Sequence, residues 1–478
     1  MSLRQAGWTS CLIVALAVGF LFSTVSSANL PAVTAEPHLG PAYRFERNGW
    51  IFVHLQGSPN QIGYQHGYML AAEIDDAFRA IKLRNIHLAQ RPWQFFRDTA
   101  QQVLWPHIDA EYREELTGIV EGLNSRGVDL DLWDIVALNA MEEIPGYYVP
   151  WLNWRQKNAP AVSRAPGNCS AFVATGRWTK DRGIVMAHNN WTDYVSGARW
   201  RVIFDIVPAE GNRILMDGFP GVIVSDDDFG VNSAGLMVTE TTIGGFFGFD
   251  PDGKPEFMRA RKALQYANSI DDYVRIMNDG NNGGYANDWL LGDRKTGEIA
   301  RFEQGLKHTR LWRTRNGFFE GANYASDPAV LKEETNLDVR NLGLSPNARR
   351  VRWQQLLRAN KGKIDVARAR QFLADHYDSF EKRANAPSER TLCGHIDLSP
   401  RGFKGWLTPH YPAGSVQNKV INSAMAENMM FLAYFGHACG TDFEAQPFLE
   451  RHHEFSWQAP VLRNLDAAGW VSFHAGDK

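Results

Sequence analysis

The chain has 478 residues, 44% hydrophobic and 22% charged, the composition of a globular protein with ample material for a large core. A formal net charge of −3 lacks the basic excess with which nucleic-acid binders neutralise phosphate, so no nucleic-acid partner is expected. Length alone allows about two to four domains.

The first residues carry the pattern of an export signal. Arg4 is the positive flank, Cys11 to Phe22 is an apolar run, and Ser26-Ser27-Ala28 offers small residues for cleavage. The run is shorter than the ~20 residues of a membrane span. Residues 1–28 are read as a signal peptide, and the protein as exported: periplasmic or extracellular, or lysosomal in a eukaryote. Removing the leader takes Cys11 and leaves Cys169, Cys393 and Cys439. Parity in an oxidising compartment then predicts a Cys393–Cys439 disulfide and a free Cys169 thiol. Two glycosylation acceptor patterns, Asn168-Cys169-Ser170 and Asn190-Trp191-Thr192, both fall where a glycan would obstruct the site proposed below.

In chain order, 28–47 reads as extended. Ile62, Leu70, Ile74, Phe78 and Ile81 recur at helical spacing and predict a helix over 61–85. Helices follow over 111–125 and 131–143, the second capped by Asp129 or Asp131. The Trp-, Pro- and Asn-rich stretch 145–166 has no period and reads as a long loop. After Cys169 the texture changes to strands, at 171–175, 184–188, 199–207, 213–216 and 236–243. Helices are expected over 257–267 and 270–277, and a hairpin joins 289–293 to 298–303 across Arg294-Lys295-Thr296-Gly297. Helices recur over 349–359 and 366–376. The apolar stretch 425–434 fits a central strand or a buried helix equally. The whole implies an α+β fold of layered sheets with helices outside.

Cys169 carries the chemistry. It heads a strand–turn–strand pattern across Lys180-Asp181-Arg182-Gly183. Cleavage of Asn168–Cys169 would make it a new N-terminus, whose α-amino group has a pKa of about 7.7–8.0, well matched to activating a thiol of about 8.5. The competing reading is a small buried strand residue. Asp226-Asp227-Asp228 lacks the regular oxygen spacing of a calcium loop and reads as a solvated turn. His437 and His452-His453 show no metal-ligand pattern. No metal or cofactor is expected for the chemistry.

Cys169-Ser170-Ala171 followed by Ala187-His188-Asn189-Asn190-Trp191 resembles the phospholipase B-like family and, more distantly, penicillin acyltransferases and bile-salt hydrolases. The likeness continues through Gly230 to Leu236, Thr239-Glu240-Thr241-Thr242, Asn282 to Asn287, Asn323-Tyr324, Ala348 to Arg352, Gly414 and Lys419. It implies a four-layer αββα sandwich of the N-terminal-nucleophile (Ntn) hydrolase type, autocatalytic cleavage before Cys169, and hydrolysis of acyl-ester or acyl-amide bonds through a Cys169 thioester. The implied catalytic residues are Cys169, His188, Asn323 as oxyanion donor and Arg349. Trp191, Asn189 and Thr242 are implied to line the substrate pocket, although Asn189 and Thr242 stand where relatives place an aspartate and an asparagine. The organisation expected is a signal peptide over 1–28, a helical fragment over 29–168 retained after cleavage, and a catalytic domain over 169–478. The substrate expected is a small molecule or lipid bearing an acyl group. Acyl transfer to an amine acceptor and non-catalytic lipid binding are the alternatives.

Overall fold

Short β-branched and aromatic runs build two sheets. The computed structural model describes residues 39–157, 169–227, 229–402 and 408–478, all within one compact unit, His38–Lys478. The signal-peptide and Asn168 readings lie outside the described residues. The strands are β1 (Tyr43–Arg47), β2 (Trp50–Gly57), β3 (Ser170–Thr175), β4 (Val185–Asp193), β5 (Val202–Pro208), β6 (Ile214–Gly218), β7 (Gly230–Asn232) and β8 (Leu236–Thr242). They continue with β9 (Asn287–Asp293), β10 (Glu298–Gln304), β11 (Thr309–Thr314), β12 (Gly317–Gly321), β13 (Ala413–Asn422), β14 (Met430–Phe435) and β15 (Trp470–His474). The larger sheet runs β1-β2-β5-β6-β7-β8-β9-β10-β11 and the smaller β12-β3-β4-β13-β14-β15. β2 and β5 pair in parallel; the other neighbours are antiparallel.

Successive strand residues point to opposite faces, and three apolar clusters follow. Val53, Phe204 and Leu291 of the larger sheet pack against Ile74, Leu116 and Ile119 of the helices. Their neighbours Phe52, Ile203 and Leu290 turn the other way, onto Val173, Met186 and Ile421 of the smaller sheet. Phe172, Ala174 and Val185 face outward from that sheet onto Trp353, Leu357 and Phe372. The smaller sheet is thus covered on both faces, which explains the unbroken apolar run of β3. The mixed α+β expectation holds.

Local departures have physical causes. The helix expected over 61–85 divides into Pro59–Met69 and Ala71–Ala89, because Leu70 leaves helical geometry at φ −112°, ψ 21°. The first half packs unusually close to the helix Ala110–Ser125: a Cβ on Gly63 would lie 1.9 Å from the Glu115 carbonyl oxygen. Asp131 caps Leu132–Asn139 by accepting from the Trp133 and Asp134 backbone. The stretch read as loop from 145 is instead a π-turn over Ile144–Tyr148 and a helix over Val149–Lys157. The ambiguous 425–434 segment is both things in turn, a helix over Ser423–Glu427 and then β14. Before Cys169 the chain also supplies β1 and β2, so this segment is part of the larger sheet and of its helical cover. Among the described residues no helix is long and apolar enough to cross a membrane.

Candidate functional site

Cys169 enters β3 with φ of 79°, a left-handed backbone that a non-glycine residue adopts only under constraint. Antiparallel register sets Ser170 opposite Asn189 and Ala171 opposite His188 on β4. On β13, Lys419 stands opposite His188. One face of the smaller sheet therefore carries Cys169, His188, Asn190 and Lys419 toward the larger sheet. The Cys169 Sγ lies 3.8 Å from Asn190 Oδ1. A ligating atom each from Cys169, His188 and Glu240 all fall within 4.8 Å of one another.

The surroundings are charged and dry. Lys419 Nζ is 2.8 Å from Asp217 Oδ2 and also contacts Asp227, whose Oδ2 is 3.8 Å from His188 Nδ1. Burial and the neighbouring Asp227 push the Asp217 carboxyl up. Burial acts the same way on Asp227, but Lys419 and His188 overcome it and hold that carboxyl low. Burial, then the Lys419 charge, press His188 down to about 3, so the ring is neutral at physiological pH. Burial lifts the Cys169 thiol well above its usual range, with Glu240 and Asp227 adding to the effect. In the uncut chain the sulfur is therefore a thiol and not a thiolate.

Arg349 holds the other side of Cys169 from the start of the second turn of the helix Ser345–Ala359. Its Nη1 donates to the Cys169 carbonyl at 2.5 Å, its Nη2 to Asn323 Oδ1 at 2.7 Å and its Nε to Ser345 Oγ at 3.0 Å. The guanidinium lies 4.3 Å from the centre of the Trp191 ring. Burial lowers its pKa to about 9, which leaves it a cation at neutral pH. Asn323, also left-handed at φ 65°, donates from Nδ2 to the Thr242 carbonyl at 2.9 Å.

Cys169, His188, Trp191, Asn323 and Arg349 thus converge. Thr242 joins through its carbonyl and through an Oγ1 contact of 3.4 Å to the Tyr285 hydroxyl. Asn189 points to the opposite face, where Nδ2 donates to the Leu373 and Leu392 carbonyls at 2.9 and 2.8 Å. It braces the sheet and does not line the pocket. Cys393 and Cys439, expected to pair, are both free cysteines in this structure. Asp226 and Asp227 are buried, 3% and 1% exposed, which corrects their reading as a solvated turn; Lys419 neutralises the second. Sequence reasoning met Asn190, Glu240 and Lys419 only as members of motifs, gave them no role in the site, and passed over Asp217. A lysine in the middle of the otherwise uncharged β13 was the available signal.

An apolar pocket of about 650 Å³, lined among others by Tyr147, Trp151, Trp154, Phe246, Phe249 and Leu306, opens nearby. Its Tyr147 ring meets Tyr285 edge-on at 6.4 Å, and the Tyr285 hydroxyl lies 3.5 Å from Glu240 Oε1. Tyr147, in the pocket lining, and Tyr285 thus stand between the pocket and Glu240.

The family model described as Phospholipase B matches residues 70–312, just over half of the chain. A phospholipase B of Crotalus adamanteus is 24% identical over 86% of this chain and 78% of its own length. Phospholipase B-like 1 of Bos taurus is 24% identical over 54% of this chain and 55% of its own length. An uncharacterized protein of Archaeoglobus fulgidus is 25% identical over 52% of this chain and 42% of its own. The chain spans about half or less of the length of the last two. The matched region holds the site from Cys169 through Tyr285, and on that match the chain belongs to the phospholipase B family.

Proposed function

We propose that this protein is an exported, self-processing N-terminal-nucleophile hydrolase that cleaves acyl-ester or acyl-amide bonds of a lipid. The observation that carries the reading is Cys169 itself: a strained residue at the head of a hairpin, its carbonyl gripped by Arg349, its thiol beside Asn190, His188 and Glu240, near an apolar pocket. The three apolar clusters are what an αββα sandwich of the Ntn type would bury between its four layers.

In the proposed maturation the Cys169 sulfur attacks the Asn168 carbonyl carbon. The C–N bond breaks, the nitrogen leaves as the Cys169 amine, and a thioester remains. Water then hydrolyses the thioester, releasing the Asn168 carboxylate and the thiol. The freed amine takes the thiol proton in each catalytic cycle. The Arg349 cation beside that terminus disfavours the protonated amine and keeps it a competent base. The sulfur next attacks the substrate acyl carbon, Asn323 steadies the oxyanion, and the leaving alcohol or amine takes the proton. Hydrolysis of the acyl-thioester closes the cycle. The apolar pocket suits an acyl chain, and the family names of the relatives suggest phospholipid as its source. The fragment before Cys169 stays bound in this reading, since it supplies β1, β2 and part of the helical cover of the larger sheet.

The apolar pocket equally suits a lipid-binding protein without turnover. Intact mass and N-terminal sequencing of the exported protein separate the two. Two chains, one beginning at Cys169, support the hydrolase, and Cys169→Ala should then remain a single inert chain. One uncut wild-type chain that releases bound lipid unaltered would overturn it.

A further inference from the structure

Outside the cluster around Cys169, four side chains from three parts of the fold converge on one point. His376 follows the helix Val366–Leu373, Cys393 and His395 lie in the loop leading to β13, and Cys439 follows β14. A ligating atom from each lies within 4.8 Å of all the others. His395 Nε2 is 3.2 Å from His376 Nε2, 3.5 Å from Cys393 Sγ and 3.5 Å from Cys439 Sγ.

Hydrogen bonding does not account for this. An imidazole nitrogen is a single donor or a single acceptor, so one Nε2 cannot serve three partners at once. A disulfide would take up both thiols and leave two imidazole nitrogens facing each other. A shared cation satisfies all four. Tetrahedral zinc, with Zn–S of about 2.3 Å and Zn–N of about 2.05 Å, sets N–N edges near ~3.3 Å and S–N edges near ~3.6 Å. The spacings here, 3.2 and 3.5 Å, match both edges. A soft two-sulfur, two-nitrogen donor set in tetrahedral array selects zinc over calcium, magnesium or manganese.

We propose that His376, Cys393, His395 and Cys439 bind one Zn²⁺ as a closed, four-ligand structural site. An open cleft of about 380 Å³ that includes His395, His437 and Thr441 in its lining gives the ion a route in. The cysteines ligate as thiolates and the histidines as neutral rings, so any proton still on a thiol is released to solvent on binding. The site ties the 376–395 loop to the end of β14. That loop supplies the Leu392 carbonyl that holds Asn189. It also supplies Gly394, where a Cβ would come within 2.3 Å of the Trp191 ring. Zinc would therefore hold the wall behind Trp191 and Arg349. The proposal is independent of any reading of Cys169.

The test uses the full chain, purified with zinc supplied and no chelator. Elemental analysis should find about one zinc per chain, in wild type and in Cys169→Ala alike. His376→Ala and Cys439→Ser should each weaken zinc retention at least ~10-fold against a competing chelator. Should those variants fail to fold, Co²⁺ exchanged into the wild type gives an independent readout. Tetrahedral d–d bands with thiolate-to-cobalt charge transfer are expected. Zinc at background level, an octahedral cobalt spectrum without thiolate bands, or a Cys393–Cys439 disulfide found by non-reducing peptide mapping would each overturn the site.

Discussion

Arg349 fixes which way Asn323 faces. Its Nη2 donates to Asn323 Oδ1 at 2.7 Å, so the amide nitrogen is turned to the Thr242 carbonyl, 2.9 Å away. An oxyanion donor needs such a preset orientation, because its worth lies in avoiding reorganisation during the reaction. Asn323→Ala should lower kcat by about 10²–10³-fold with little change in KM. Arg349→Lys keeps a charge but cannot hold Cys169, Asn323 and Ser345 together, and should slow self-processing by ~100-fold through misplacement alone. Steady-state kinetics and a time course of intact mass check the pair; unchanged kcat in Asn323→Ala would remove it from the oxyanion site.

Asn190 Oδ1 faces the thiol while its Nδ2 is buried with no hydrogen-bond partner among the described residues. A buried donor in that position is costly unless something arrives to accept from it. Asn190→Asp should depress turnover more than Asn190→Ala, because a carboxylate would repel both thiolate and oxyanion. The ratio of the two kcat/KM values is the measurement, and equal losses would count against an electrostatic role.

The triad Asp217–Lys419–Asp227 is fully buried between the sheets. Lys419→Met leaves two carboxylates facing each other without a cation and should cost ~3–5 kcal/mol in urea unfolding. The same replacement combined with Asp217→Asn and Asp227→Asn should recover much of that stability. Lys419→Met alone should also raise the Cys169 thiol further, because Lys419 is one of the influences holding it down.

Two neutral buried histidines set an acid limit. Burial holds His66 down to about 3, with Arg261 adding to the effect, and its Nε2 accepts from the Gly221 backbone at 2.9 Å. Burial and Lys419 hold His188 at about 3 as well. In the unfolded chain both protonate near pH ~6.5. Between those values the unfolded state binds more protons, so this contribution to stability is complete above about pH 6.5 and falls as pH drops toward ~3. Urea midpoints across that window should decline, and His66→Gln, which can still accept from Gly221, should flatten the slope. An unchanged slope would show that His66 is protonated in the fold.

The pocket predicts chain-length dependence. Trp151 and Phe249 are in edge-on or tilted contact along its wall, 6.2 Å between ring centres. Phe249→Ala should weaken long-chain substrates by ~3 kcal/mol or less relative to short ones, read as the ratio of kcat/KM values across an acyl series. An equal effect on all lengths would place the acyl chain elsewhere.

The sequence by itself determined the local elements and singled out Cys169 as the candidate nucleophile. Apolar period and turn chemistry placed the β3–β4 hairpin, the helices after it and the Asp131 cap, because each is settled within a few residues. The order of short motifs from Cys169 to Lys419 named the family. Tertiary structure alone decided what those residues face. Asn189 and Asn190 are adjacent in the chain, yet strand alternation sends one to brace the sheet and the other to the sulfur. Asp227 looked like a solvated turn because its partner Lys419 is 192 residues away. Cys393 and Cys439 were paired by parity, and only the fold brings His376 and His395 between them. Charge compensation and ligand convergence are long-range properties, and no local pattern encodes them.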